Sequence, residues 1–185
     1  PRSQSLLGIS GSYGSPAGGL AFSGIRFTGT SWLGPSGPDG YADQQSGAHI
    51  TGAYPMPANW LSTCKSGCTR FEATRNHWAQ MPAAVQVSAA TGITFSGNTF
   101  SELGQAGLGV GNDGVANASG TGLGANGVTV TGNTFTDTAG SGIQVGGIQP
   151  DAHHPGNPQM TDQNITISNN KVSGVGTDYK ETAAI

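Results

Sequence analysis

Asp113 and Asp151 stand 38 residues apart, each inside a stretch rich in glycine, asparagine or proline. A pair of carboxyl groups brought together can do acid and base work. At a glycosidic bond one protonates the leaving oxygen while the other attacks or activates water, at separations of about 5 Å for retention and about 6.5 to 9.5 Å for inversion. His153 and His154 follow Asp151 in Gly142-Ile-Gln-Val-Gly-Gly-Ile-Gln-Pro-Asp-Ala-His-His-Pro155. An imidazole there can move a proton, bond a sugar hydroxyl or share a metal with the aspartate. Adjacent residues of an extended segment point opposite ways, so only one of the two histidines faces a given centre. Pro150, Pro155 and Pro158 stiffen the segment. The plainer alternative for either aspartate is an Asx-turn in a surface loop.

Positioning these groups requires a frame, and a repeat supplies one. Ile93-Thr-Phe-Ser-Gly-Asn-Thr-Phe100, Val128-Thr-Val-Thr-Gly-Asn-Thr-Phe135 and Ile165-Thr-Ile-Ser-Asn-Asn-Lys-Val172 align without gaps. Each opens with period-two apolar residues, has Asn at its sixth position and resumes an apolar side chain at its eighth. The asparagines, Asn98, Asn133 and Asn170, are 35 and 37 residues apart. They suit a tight bend between strands, because asparagine tolerates left-handed backbone angles, and they predict a side-chain amide ladder. A second repeated piece, Ala106-Gly-Leu-Gly-Val-Gly111 against Ser141-Gly-Ile-Gln-Val-Gly146, predicts a third strand per unit. Leu20-Ala-Phe-Ser-Gly-Ile-Arg-Phe27 is a weaker early copy with Ile25 in place of the asparagine, and Ala84-Val-Gln-Val87 leads into the Ile93 segment. Three short strands per unit, turned by Gly and Asn, predict an all-β parallel solenoid in which equivalent residues stack. Ile93, Val128 and Ile165 form one expected column; Phe100, Phe135 and Val172 form another.

A minimal unit of this kind needs about 22 residues, so the longer spacings include insertions. These fall after the third strand in both units, at about 112–127 and 148–163. Equivalent positions in successive units place both at one corner, and one repeat of separation there is about 5 Å. Asp113 and Asp151 then come within catalytic reach of one another. Gln144, between inward Ile143 and Val145, is expected to point outward beside the insertions, where its counterpart Gly109 leaves a gap. An irregular excursion at about 33–82 contains Asp39 and Asp43, reserve acids or substrate contacts, and begins just past Trp32. A flat indole there suits a sugar ring, although such a Trp more often forms a small core.

Composition narrows the classes. The 185 residues include 32 glycines, with charged residues at 9% and a formal net charge of −3. That much glycine disfavours long helices, and no Gly-X-Y period indicates collagen. Seven Lys and Arg without a basic stripe make nucleic acid an improbable partner. No apolar run reaches the length of a spanning helix, so no membrane is expected. Cys64 and Cys68, in Cys-Lys-Ser-Gly-Cys, are too few for a zinc site; a tight disulfide loop and export are expected, with free cytosolic thiols as the alternative. No metal site or cofactor is expected, calcium being the one ion left open. Gly111-Asn-Asp-Gly114 is similar to a piece of a calcium-binding nonapeptide but lacks a second copy. The strand-like start at Leu6-Leu-Gly-Ile9 and the end at Ala183-Ala-Ile185 suggest a single domain, 1–185, cut from a longer solenoid. A second polypeptide completing it is left open.

The pattern Ile-x-Phe-x-Gly-Asn-x-Phe followed by Gly-Ile-x-Val resembles the right-handed parallel β-helix repeat of the pectate-lyase-like superfamily, over about residues 84 to 185 and weakly over the first 30. Phe27-Thr-Gly-Thr-Ser-Trp-Leu33, Asp39-Gly-Tyr41, Gly142-Ile-Gln-Val-Gly-Gly147 and His153-His-Pro155 are similar to secreted bacterial β-helix proteins allied to glycoside hydrolase family 141. The resemblance implies a right-handed β-helix and a secreted carbohydrate-active enzyme. The activity expected is that of a glycoside hydrolase, with the insertion aspartates Asp113 and Asp151 as the catalytic carboxyls; Asp39, Asp43, Gln144, His153, His154 and Trp32 would contact a polysaccharide or oligosaccharide. Acidic side chains found on such strands in that family have no counterpart at Gly109 or Gln144. A polysaccharide lyase and a noncatalytic glycan-binding or adhesin solenoid are the alternatives, since β-helices host many chemistries.

Overall fold

The computed structural model describes residues 3–12, 14–34, 48–50, 78–111, 124–147, 161–180 and 182–185. Among these there is no helix, and all the strands are short. In chain order they are β1 (Leu7–Ser10), β2 (Ala17–Gly18), β3 (Ala21–Ser23) and β4 (Arg26–Thr28), then β5 (Ala48–Ile50) and β6 (Trp78–Gln80). A second set is β7 (Ala83–Ser88), β8 (Ala90–Thr91), β9 (Thr94–Ser96) and β10 (Thr99–Leu103), and a third is β11 (Ala106–Val110), β12 (Ala125–Asn126), β13 (Thr129–Thr131) and β14 (Thr134–Thr138). The last is β15 (Ile143–Val145), β16 (Thr166–Ser168) and β17 (Lys171–Val175), with Gln163 bridging Asn126 where a fourth strand would lie.

Corresponding strands of successive sets pair in parallel. Four sheets result: β1-β7-β11-β15, β2-β8-β12, β3-β9-β13-β16 and β4-β10-β14-β17. The arrangement is all-β, with parallel strands in stacked sheets, and is compatible with a solenoid. Each repeat contributes one strand more than its sequence announces, because β8 and β12 have only two residues and show no alternation. Register follows the aligned segments: Phe100 opposes Phe27 and Phe135, and Phe135 opposes Val172. Leu20-Phe27 takes its place as the early copy, β3 and β4. Antiparallel β5 and β6 lie within the excursion.

The interior is built from those columns. Phe27, Phe100 and Phe135 stack with ring centroids 4.8 and 4.4 Å apart, and Phe22 stacks on Phe95 at 5.0 Å. Ile93 and Val128 are fully buried, with Ile165 partly buried against the same cluster. Offset stacking brings each ring within favourable reach of the next while burying its area. The asparagine ladder is also present. Asn98 Nδ2 and Asn133 Nδ2 each donate to the next asparagine's Oδ1 at 3.0 Å, and those oxygens also accept from the backbone N–H of Asn98 and Asn133. At the first repeat, where Ile25 replaces the asparagine, its N–H still donates to Asn98 Oδ1, at 2.9 Å.

The expected reason for these asparagines needs correction. The left-handed angles belong to the preceding residues, Gly97, Gly132 and Asn169, at φ of 64, 65 and 56°. The asparagines are selected for their amides rather than for their backbone. A second left-handed column contains Gly29, Glu102, Asp137 and Gly174, with φ between 52 and 81°. Glu102 and Asp137, whose side chains are exposed, take these angles inside β10 and β14.

Candidate functional site

Stems of both insertions meet at one corner. Val110 pairs with Val145, so Gly111 and Gly146, which leave β11 and β15, occupy equivalent places. Gly111 N–H donates to Val87 O at 2.7 Å and Gly146 N–H to Val110 O at 2.9 Å. Both have left-handed backbones, at φ of 66 and 78°, which suits glycine. On the returning side, Gln163 N–H donates to Ala125 O and Gly127 N–H to Gln163 O, each at 2.9 Å. The repeat thus predicted the shared corner from spacing alone.

A carboxyl group missed by sequence reasoning joins these stems. Asp162 closes the second insertion, and its Oδ1 accepts the Ala125 N–H at 2.8 Å. Its side chain lies against Gly111 so closely that a methyl group there would penetrate the carboxyl, while a Cβ on Gly146 would be 3.8 Å from Oδ2. One side chain therefore packs against the departure of the first insertion and bonds its return, with the departure of the second nearby. Burial raises the Asp162 pKa from 3.8 to about 6, against the lowering effect of the Ala125 N–H. Desolvation disfavours the anion more than one amide dipole favours it. Such a carboxyl exchanges its proton in the range useful for general acid catalysis. The available sequence signal was positional: Asp162 ends one insertion and a glycine begins the other.

Asp113, Asp151, His153 and His154 lie outside the described residues, as do Asp39, Asp43, Cys64 and Cys68. Two of the expected contacts can be placed. Gln144 shares an outward row with Gly8, Gln86 and Gly109 on the sheet that ends at the corner. It is 8% exposed, and Gly109 is buried as well, whereas Gly8 is exposed and Gln86 half-buried; the row is covered at its Gly109 and Gln144 end. Val145 is 42% exposed instead of enclosed. It lies on the outer strand of its sheet, whereas Ile143 is covered by the chain near Ala184, whose carbonyl accepts from Gly142 and Ile143.

Trp32 is elsewhere. It packs with Tyr179 against buried Met81, Ala83 and Ala106, its ring centroid 5.2 Å from that of Tyr179. Tyr179 donates its hydroxyl to Gly34 O, which closes that side of the cluster. Ala106 begins β11 and Gly111 follows its end, so the two sites are separated by roughly 15 Å of strand. The indole belongs to a small core at the opposite corner, the alternative its sequence context favoured. Among the described residues no group of three His, Cys, Asp or Glu side chains forms a metal site. Comparison with protein families, with curated proteins and with solved structures finds no match to this chain.

Proposed function

We propose that the chain forms part of a right-handed parallel β-helix and acts outside the cell as a glycoside hydrolase on a polysaccharide. The observation that carries this reading is the convergence of both insertion stems on one corner, because a cleft between neighbouring loops is where stacked repeats commonly form binding surfaces. In this reading Asp113 and Asp151 act as acid and base or nucleophile, with His153 and His154 as sugar contacts; the covered Gln144 is not one of them. Asp39 and Asp43 are further substrate contacts from the excursion, and the Cys64–Cys68 disulfide belongs to an exported chain.

The test is hydrolysis of a panel of soluble neutral and acidic polysaccharides, read as release of reducing ends. Asp113→Asn and Asp151→Asn are each expected to reduce turnover by about 100-fold or more. Unchanged hydrolysis in both variants would refute the pair. Release of unsaturated, ultraviolet-absorbing ends would replace hydrolysis by elimination, and binding without turnover would make the corner a noncatalytic glycan site.

A further inference from the structure

We propose that the outer face of the sheet β3-β9-β13-β16 is an ice-binding surface, a second function independent of the hydrolase reading. On β9, β13 and β16 the outward pairs are Thr94 with Ser96, Thr129 with Thr131, and Thr166 with Ser168, and strand pairing sets them side by side in two rows. On β3, Ser23 extends the second row, while Ala21 ends the first without a hydroxyl. These side chains are half-buried or exposed, and the apolar residue between each pair packs inward against the core. Ser168 donates to the Thr131 hydroxyl at 3.1 Å. Among the described residues, the hydroxyls of Ser23, Thr94, Ser96, Thr129 and Thr166 have no protein partner, which leaves them to water.

Strand geometry spaces this array at about 4.8 Å between strands and about 6.6 Å between rows. Both are close to repeats of the oxygen lattice of hexagonal ice, so waters bonded to successive hydroxyls stand where a crystal can continue them. Stacking and side-chain ladders hold a sheet flat. Here Phe22 stacks on Phe95 beneath the face, and the asparagine ladder runs along its end. Residues 19–25, 92–98, 127–133 and 164–170 include no charged side chain, so no ion holds a hydration shell that interrupts the lattice. The bends on either side of β9 and β13 are made by Gly92, Gly97, Gly127 and Gly132, all left-handed. Without side chains, they keep the borders of the array low enough for a plane surface to approach. A sugar chain finds no aromatic platform among the outward residues.

The test grows ice slowly through a dilute solution of the wild-type chain and compares the fraction taken into the ice with that of an inert globular protein of similar mass. The habit of a single seed crystal is followed in the same solution. The wild type is expected to enter the ice and to facet the seed. Thr129→Lys, at the centre of the array, is expected to abolish both effects. Thr134→Lys, which sets the same charge outward on β14 in the neighbouring sheet, is expected to retain them. The wild-type measurement decides by itself where a variant does not fold. Exclusion of the wild type from ice with an unfaceted seed, or equal losses in Thr129→Lys and Thr134→Lys, would overturn the proposal. Adsorption to microcrystalline cellulose in place of ice would give the face to a polysaccharide and overturn it as well. Polysaccharide hydrolysis is expected to be unchanged in Thr129→Lys, so failure of the ice assay and failure of the hydrolase reading are distinguishable.

Discussion

Asp162 holds its proton more tightly than a free aspartate because the corner removes water from the carboxyl faster than Ala125 replaces it. A group whose folded pKa of about 6 exceeds its ordinary 3.8 binds a proton on folding. Its favourable contribution is complete below about pH 4, falls as pH rises to about 6, and is absent above. Asparagine resembles the protonated form at every pH. Asp162→Asn should therefore gain stability relative to wild type as pH rises from 4 to 7.5 in urea unfolding, and a constant difference would show that burial does not perturb this carboxyl. Arg26 and Glu102 show the opposite case. Their ion pair at 2.7 Å is exposed at both ends, so water and salt screen most of its energy.

At the level of the element, the bends between β9 and β10 and between β13 and β14 divide their duties over two residues. A glycine takes the left-handed angle and an asparagine binds the neighbouring repeat. Asn133 is buried, donates to Phe95 O and Asn170 Oδ1, and accepts from Asn98 N and Nδ2. Asn133→Ala leaves the buried Asn98 N–H and amide without that acceptor, a cost of about 2–4 kcal/mol. A urea midpoint shifted by less than about 0.5 kcal/mol equivalent would show that the ladder contributes little. The ladder was legible in the sequence because spacing and residue type recur together. The two-residue strands β8 and β12 were not, since two residues cannot display a period and their pairing is decided by neighbours 35 residues away.

For the whole molecule, one apolar cluster runs from Ile9 to Val175 through every repeat, and a smaller one lies under Trp32 and Tyr179. With only 9% charged residues, cohesion comes from stacked side chains and amides. Raising sodium chloride from about 0.05 to 0.5 M screens what charge there is. Thermal unfolding should shift by less than about 2 °C, and a large fall would reveal an ionic contribution from elsewhere in the chain. By itself the sequence determined the repeat, the inward columns, the asparagine ladder and the corner to which both insertions belong, because each is a consequence of periodic residue types. Only the tertiary structure decided that Asp162 stands among the stems, that Gln144 is covered, and that Trp32 packs at the opposite corner. Those outcomes depend on which distant backbone excludes water from a side chain, and spacing along the chain carries no measure of that.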